Sequence, residues 1–145
     1  MKAKKIKVTI LAMLCMLMST VSVGAVNRPE FDFMLMNSGQ NYNQYSGRNS
    51  KTYAGSPWTL KVKWLGIDSS DIGTHGVRFA PMIASTNQVC SQSGIWRTST
   101  GYAKVAWSSG QGKVGEYYIA ARMDDDFYST YSTGGWWNSD SVSDN

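Results

Sequence analysis

The sequence predicts an all-β fold, a single-domain antiparallel β-sandwich or jelly-roll-like barrel that follows a cleaved N-terminal signal peptide. Six to eight short segments alternate apolar and polar residues with the two-residue period of a strand. Clusters of Gly, Ser, Asn and Asp separate these segments. No clear helical period competes with them, so the strands have to bury their apolar faces against one another.

The first 25 residues have the three parts of a secretory signal peptide. Four lysines precede an apolar run over residues 8–18, and the small residues Val23-Gly24-Ala25 follow. The apolar run is shorter than the roughly 20 residues of a transmembrane helix. We therefore predict cleavage after Ala25, a mature domain of residues 26–145 without a transmembrane segment, and a secreted, extracellular or cell-wall-associated location. A retained N-terminal anchor is the alternative.

Cleavage changes the charge of the chain. The precursor has 14 basic and 10 acidic residues, and four of the basic residues are lysines of the signal peptide. Ten basic residues then remain against ten acidic residues, and the net charge falls from +4 to zero with His75 neutral. The basic surface typical of a nucleic-acid-binding protein is therefore missing, and we expect no nucleic-acid partner.

Cys90 is the one cysteine of the predicted mature chain. It has no partner for an internal disulfide, and it lies in the polar stretch "NQVCSQS". The stretch predicts an exposed thiol that is dispensable for folding or that pairs between two chains.

The strands at the beginning of the mature domain are clear. "FDFMLM" is a strand candidate, whereas residues 37–57 are rich in Ser, Asn, Gln, Gly and Tyr and indicate a loop or irregular edge structure. "WTLKVKWL" is the strongest strand signal in the chain, because its apolar residues alternate with polar ones. Alternation assigns Trp58 and Trp64 to one face, which we expect to be the core.

Turn-forming residues follow, and then "VRFAPMIAS" resumes the alternation until Pro81, which indicates an edge or a bulge. "GIWRTST" and "GYAKVAW" are short strand candidates separated by Gly101. The flexible "SSGQG" then predicts that "GYAKVAW" and "KVGEYYIAARM" form a hairpin.

The stretch "EYYIAARM" fits a strand, with a helix as the alternative. In a strand one face carries Tyr117, Ile119, Ala121 and Met123, and the other carries Glu116, Tyr118, Ala120 and Arg122. We favour the strand because Gly115 and residues 124–126 bound it closely and because tyrosine and isoleucine favour a pleated surface. A last strand contains the tryptophan pair of "GGWWNSDSV".

Several of these motifs together resemble the small secreted proteins of Gram-positive bacteria grouped as domain of unknown function 2712. They are "FDFML", the Tyr- and Asn-rich segment with Arg48, "SPW", "YYIAARMDD" and "STGGWWNSDSV", which together span most of the mature chain. The resemblance implies an export signal and an all-β domain. The family has no assigned activity, so the resemblance supplies no catalytic residue. Neither Cys90 nor the complete triplet at 124–126 belongs to its pattern.

The titratable residues do not form a recognisable catalytic set. His75 is the one histidine, it lies in the glycine-flanked "GTHG", and no nucleophile-elbow motif accompanies it. One histidine and one cysteine also cannot complete a tetrahedral zinc site without carboxylates. A glycosidase would have to recruit Glu30 or Glu116, the two glutamates, together with an aspartate. We therefore expect no enzyme and no cofactor.

Calcium binding is the remaining possibility for a metal. The triplet Asp124-Asp125-Asp126 offers carboxylate oxygens, but three consecutive residues do not all point inward and no ligand loop surrounds them. A solvated turn is the simpler reading. We expect no metal site, with Asp124, Asp126 and Asp140 as weak calcium candidates.

Aromatic residues are the main candidates for contact with a ligand. All six tryptophans and all eight tyrosines follow Ala25. Exposed aromatic rings on a sheet face stack on sugars, whereas buried ones supply a large apolar area. The candidate contact residues are Trp136, Tyr118 and Tyr131. Strand geometry sends Trp136 and Trp137 to opposite faces, and the family resemblance assigns Trp137 to the core and Trp136 to the surface.

The sequence thus predicts a secreted, non-catalytic β protein. Its expected role is that of an extracellular or cell-wall binding module whose partner is a cell-wall polymer or a surface protein. A secreted bacteriocin-like antimicrobial protein is the alternative.

Overall fold

A computed structural model describes residues 27–35, 42, 44–67, 76–123 and 131–142. The predicted signal peptide, His75 and the aspartates at 124–126 lie outside these residues. The described chain forms nine strands and one 3-10 turn (Ser91–Ser93). The strands are β1 (Glu30–Leu35), β2 (Gln44–Lys51), β3 (Trp58–Ile67), β4 (Val77–Ile83), β5 (Gln88–Val89), β6 (Ile95–Arg97), β7 (Gly101–Val105), β8 (Gly115–Met123) and β9 (Tyr131–Asn138).

The strands form two antiparallel sheets that pack as a sandwich, which confirms the predicted fold class. Sheet A has the order β1-β9-β3-β7. Sheet B has the order β2-β8-β4, and both β5 and β6 pair with the far edge of β4. Most consecutive strands lie in different sheets, so the chain crosses repeatedly from one sheet to the other.

The core lies between the sheets and is rich in aromatic rings. Phe31 of β1 stacks on Phe33 at 5.2 Å between ring centroids and contacts Phe79 of the opposite sheet at 5.4 Å. Trp58 and Trp137 are also fully buried in this cluster. Complete burial of one such apolar side chain contributes about 1.5–3 kcal/mol, so the core can hold the sandwich together by packing.

The central strand of sheet B confirms the strand prediction for "EYYIAARM". On β8 the side chains of Tyr117, Ile119, Ala121 and Met123 are buried in the core, as the alternation predicts. The register of β8 against β4 then places Tyr118 beside Met82 and Arg122 beside Arg78 on the outer face of the sheet.

Pro81 lies in the interior of β4. β8 pairs with β4 along one side, and on the other side the pairing passes from β6 to β5 near Pro81. β6 pairs with Val77–Phe79 and β5 pairs with Met82 and Ile83. The carbonyl oxygen of Pro81 accepts a hydrogen bond from the Cys90 N–H at 2.8 Å, so the proline nitrogen also faces this side. The missing N–H therefore falls at a break in the ladder, as expected for a proline within a sheet.

A bulge in β3 overturns the prediction that Trp64 shares the core face of Trp58. Val62 pairs with Gly135 and Trp64 pairs with Gly134, so Lys63 is an extra residue in the ladder. Because one inserted residue reverses the alternation, the Trp64 side chain points away from the core and is 44% exposed. Its ring lies on Gly134, where a Cβ atom would come within 1.9 Å of Trp64 Cζ2.

The predicted hairpin between β7 and β8 is wrong, because the two strands lie in different sheets. β7 pairs with β3, and β8 pairs with β2 and β4. The segment between β7 and β8 packs against aromatic rings and does not form a tight turn. Gly112 has a φ of +71° and lies against the Trp107 indole. The Trp107 ring in turn contacts the Tyr117 ring at 5.0 Å between centroids. Glycine residues there allow close packing between the sheets.

The segment at 37–57 is partly an edge strand. β2 pairs with β8 alone among the described strands, and its register shifts between Ser46 and Asn49. The expectation of irregular edge structure is thus confirmed for this part, whereas the expectation of a loop is wrong for it.

Cys90 is buried rather than exposed. Its side chain is 3% exposed and belongs to the core cluster that contains Tyr117. The polar neighbours of Cys90 in the sequence therefore do not indicate its exposure. The N–H of Cys90 donates to the carbonyl of Pro81 in β4, and the thiol points toward the core. Burial raises the pKa of the Cys90 thiol.

Candidate functional site

The outer face of sheet B carries two groups of arginine and aromatic side chains. Alternation along β4 and β8 turns them away from the core, and β2 and β6 extend the set to both sides. We call this surface the arginine–aromatic face; its members are Tyr45, Arg48, Arg78, Trp96, Tyr118 and Arg122.

One end of the arginine–aromatic face is a pair of tyrosines. Tyr45 of β2 lies opposite Ala120, and its ring centroid is 5.6 Å from that of Tyr118. The Tyr45 side chain is 60% exposed, so its ring is accessible to a partner. Tilted aromatic pairs at this spacing are favourable in themselves, which holds the two rings as a unit.

Arg48 fixes the hydroxyl end of Tyr118. The register shift in β2 lets Arg48 share the outer face with Tyr45 while Asn49 turns inward. Arg48 Nη2 donates to the Tyr118 hydroxyl at 3.1 Å, and Arg48 Nη1 donates to Glu116 Oε2 at 2.9 Å. The hydrogen bond with Tyr118 and the charge of Glu116 raise the pKa of Arg48, so the guanidinium remains charged at physiological pH.

The other end of the face is a row of three residues in register across three strands. Trp96 of β6 pairs with Arg78 of β4, which pairs with Arg122 of β8. The guanidinium carbons of Arg78 and Arg122 lie 5.7 and 5.4 Å from the Trp96 ring centroid. The Arg122 guanidinium is also 5.7 Å from the ring of Tyr42. These are cation–π distances, so each of the two arginines contacts at least one aromatic ring.

Two alanines separate the ends of the arginine–aromatic face. Ala80 and Ala120 are paired across β4 and β8, and both are buried. The arginine row lies four residues along the strands from Tyr118, which corresponds to about 13 Å. The face therefore has a tyrosine end and an arginine end, which are separated by a covered stretch.

A shallow depression adjoins the tyrosine end. It has a volume of about 600 Å³ and is lined by residues that include Arg48, Lys113, Val114 and Glu116. Such an open depression suits an extended partner better than an enclosed small ligand.

Of the three predicted contact residues, Tyr118 lies on the arginine–aromatic face. The prediction that Tyr131 contacts a ligand is wrong, because its side chain is fully buried in the core. Tyr131 pairs with Leu35 and Ile67, so it belongs to the inner face of sheet A.

The placement of the tryptophan pair is correct for Trp137 and wrong for Trp136. Trp137 is fully buried between the sheets, and its indole N–H donates to the Gly47 carbonyl at 3.3 Å. Trp136 points to the opposite face, but the Arg28 guanidinium covers it at 4.7 Å and the Tyr102 ring lies 6.1 Å away. Only 7% of Trp136 is exposed, so it does not form a contact surface.

Asp140 is engaged by protein donors, which argues against a role as a calcium ligand. Its carboxylate accepts hydrogen bonds from Lys51 Nζ at 3.0 Å and from the backbone N–H groups of Thr52 at 2.7 Å and Tyr53 at 3.3 Å. Burial acts to raise the pKa of Asp140, but the hydrogen bonds from Thr52 and Lys51 outweigh it and the pKa is lowered. Asp124 and Asp126 lie outside the described residues. No group of three or more His, Cys, Asp and Glu side chains suited to a metal ion occurs in the described ranges.

The site depends on pairings that sequence alternation only partly predicts. Alternation along "EYYIAARM" placed Arg122 on the face of Tyr118, and this signal pointed to the arginine. Arg78 joins the face through the pairing of β4 with β8, and Trp96 joins it through the pairing of β4 with β6. The sequence gives no signal for either pairing.

In the part of the chain that the structure describes, no helix has the length and apolar character needed to cross a membrane. Comparisons of the chain with protein-family models, with curated proteins and with solved structures gave no match.

Proposed function

We propose that the protein is a secreted, non-catalytic module that binds a cell-wall polymer through the arginine–aromatic face. The observation that carries this proposal is the pair formed by Tyr45 and Tyr118, two adjacent rings on the outer face of sheet B, with Arg48 hydrogen-bonded to the hydroxyl of Tyr118. Flat aromatic rings at a protein surface stack on sugar rings, and the arginine and tyrosine polar groups can hydrogen-bond sugar hydroxyls.

Hydrogen bonds order the side chains of the tyrosine end in the absence of a partner. Arg48 holds Tyr118 through two guanidinium nitrogens, at 3.1 and 3.3 Å, and Glu116 holds Arg48 in turn. Tyrosine side chains also have few rotatable bonds, so little conformational entropy is lost on binding. Preorganisation of this kind favours a binding surface.

The carboxylate chemistry of the face supports binding rather than hydrolysis. Glu116 is the one carboxylate that alternation brings to the outer face of the described part of sheet B, and it forms an ion pair with Arg48 at 2.9 Å. A glycosidase uses two carboxylates across the scissile bond, one of which acts as an acid. An arginine-paired glutamate on an open face suits neither role.

A pull-down with purified Gram-positive cell walls tests the proposal. We expect Tyr118→Ala and Tyr45→Ala each to weaken wall binding about tenfold, which corresponds to about 1.4 kcal/mol for the loss of a tyrosine anchor. Tyr53→Ala is the matched control, because Tyr53 is 69% exposed but is not a member of the face. Wall binding that is equal in all four proteins, or no wall binding by the unaltered protein, would contradict the proposal.

A further inference from the structure

We infer that the polymer bound by this face carries N-acetylated sugars, and that Arg48, Glu116 and Val114 bind the acetamido group of one sugar. This inference rests on the proposed function and names the class of polymer. The site is the shallow depression beside the tyrosine end, which these three residues line. An acetamido group presents an N–H donor, a carbonyl acceptor and a methyl group, and the depression offers a counterpart to each.

Arg48 belongs both to the tyrosine end and to the depression. Its Nε and Nη2 atoms donate to the Tyr118 hydroxyl, and its side chain lines the depression. Glu116 lies two residues before Tyr118 on β8, and side chains two apart on a strand share one face at a spacing of about 7 Å. A sugar ring stacked on Tyr118 therefore brings its substituents to the pair formed by Arg48 and Glu116.

The ion pair of Arg48 and Glu116 matches the polar atoms of an amide. Within the described residues, the contacts of Arg48 with Tyr118 and Glu116 use three of its five N–H groups. Two N–H groups of Arg48 can therefore donate to an amide carbonyl, while Glu116 Oε1 can accept from an amide N–H. Both side chains are about half exposed, and their opposite charges cancel, so the pair suits a neutral amide better than an ion.

Val114 supplies the apolar contact for the methyl group. Its side chain is 65% exposed, and it lines the depression together with Ile83 and Ala84. Covering this apolar surface with a methyl group is favourable. Lys113 also lines the depression, but it is exposed and a lysine ammonium is strongly hydrated, so the acetamido group does not need it.

Hydrogen bonds fix two sides of the depression. The Ala84 N–H donates to the Glu116 carbonyl at 2.9 Å, which holds the turn after β4 against β8. The Tyr117 hydroxyl donates to the Lys113 carbonyl at 2.9 Å, which holds the segment before β8. The depression is thus formed in the absence of a partner, which lowers the entropy lost on binding.

Two matched oligosaccharides test the inference by calorimetry on the purified protein. A chitin oligosaccharide and a cellulose oligosaccharide of the same length share the linkage and the sugar ring, and each acetamido group of the first is a hydroxyl in the second. We expect the chitin oligosaccharide to bind at least about tenfold more tightly, because a hydroxyl neither covers Val114 nor reaches both partners of the ion pair.

Substitutions in the depression supply the specific readout, which is the ratio of the two affinities. Val114→Ser should lower the affinity for the chitin oligosaccharide about fivefold and leave that for the cellulose oligosaccharide unchanged. Glu116→Ala should also lower the ratio, whereas Tyr118→Ala should weaken both affinities by the same factor. Met34→Ser is the matched control, since Met34 is 61% exposed on sheet A and its loss should change neither affinity. Denaturant melts of each variant check that the fold is retained.

The outcomes separate this inference from the proposed function. Equal affinities for the two oligosaccharides, with Tyr118→Ala harmful to both, would overturn the inference and leave the proposed function standing. So would a preference for chitin that survives both Val114→Ser and Glu116→Ala, or wall binding without binding of either oligosaccharide. An N-acetylated alanine peptide that binds as tightly as the chitin oligosaccharide would also overturn the inference, because the depression would then recognise amides in general. Absence of binding to walls and to both oligosaccharides would reject both proposals.

Discussion

The Cys90 thiol lies in the core, so at the residue scale it should behave as a buried apolar group. Cys90→Ser should lower the free energy of unfolding by about 1–3 kcal/mol, because the hydroxyl would be buried where a thiol packs among apolar side chains. Urea denaturation measures the loss. Ser85→Ala, in an exposed turn, is the control and should leave the unfolding midpoint unchanged.

The same burial predicts the reactivity of the thiol. Because its pKa is raised and its side chain is covered, Cys90 should react with a thiol reagent in denaturant but only slowly in the native protein. Rapid labelling of the native protein, or a disulfide-linked dimer on a non-reducing gel, would contradict this placement.

Single residues show what sequence patterns do and do not predict about a site. Alternation placed Tyr118 on the outer face of β8 correctly, because β8 is regular. It could not show that Arg28 covers Trp136, because that contact joins residues that are distant in the sequence. The side of the sheet to which a side chain points follows from the strand alone. Its exposure to solvent also depends on which distant residues pack over it.

At the scale of elements, the β3 bulge is the feature that alternation could not anticipate. Nothing in "WTLKVKWL" indicates that Lys63 is an extra residue, since the apolar pattern continues through Trp64. The signal lies in the partner strand, where Gly134 and Gly135 leave room. A Cβ atom at Gly135 would lie 1.8 Å from the Lys61 carbonyl oxygen, so β9 can approach the bulge only with glycine there.

These contacts predict a graded effect of two substitutions in β9. Gly134→Ala should lower the free energy of unfolding by about 1–3 kcal/mol, because the methyl group displaces the Trp64 ring. Gly135→Ala should destabilise more, since it meets backbone that cannot swing away. Denaturant melts measure both.

The Trp64→Ala background provides the control for this pair. With the ring removed, Gly134→Ala should lose most of its effect, whereas Gly135→Ala should keep its effect. A Gly134→Ala cost that is the same in both backgrounds would contradict the packing of Trp64 on β9 and hence the bulge.

At the scale of the whole molecule, a buried lysine joins β2 to the segment after β9. Lys51 is fully buried, and its ammonium donates to the carbonyls of Ser56 at 2.7 Å and Ser139 at 2.9 Å and to the Asp140 carboxylate at 3.0 Å. Three acceptors match its three N–H donors, and the Trp107 ring lies 5.2 Å from Nζ. The network ties sheet B to the end of sheet A.

Removal of Asp140 should therefore destabilise the whole sandwich. Asp140→Ala leaves a buried ammonium without its counter-charge and should cost about 3–5 kcal/mol at pH 7. Glu30→Ala is the control, since the ion pair between Glu30 and Lys63 is exposed and its loss should change stability little. Equal stability of the two variants would contradict the account.

The same carboxylate gives a direction for the pH dependence. Because the pKa of Asp140 is lower in the folded protein than its ordinary value of 3.8, its stabilisation is complete above that value and is lost as the pH falls through the lower folded value. The difference in unfolding free energy between the unaltered protein and Asp140→Asn should shrink over this acid range. A difference that is constant down to the lowest pH would rule out the lowered pKa.

Connectivity is the part of the molecule that the sequence predicted least. Two strands that are separated by a flexible turn are expected to pair, and this expectation is wrong for β7 and β8. β7 pairs within sheet A, whereas β8 pairs within sheet B. Pairing is decided by which faces the core can bury, and this depends on contacts such as Phe31 with Phe79 between distant segments. The all-β class is predictable because it needs only the period of the pattern.

The most direct test of the arginine–aromatic face is a map of the residues that a bound wall polymer perturbs, read from backbone and indole NMR signals on titration. The proposed function predicts the largest changes at Tyr45, Tyr118 and Trp96 on sheet B, with the signals of Trp64 and Lys61 on sheet A unchanged. Perturbation centred on Trp64 and Lys61, with the sheet B signals unmoved, would contradict the central claim.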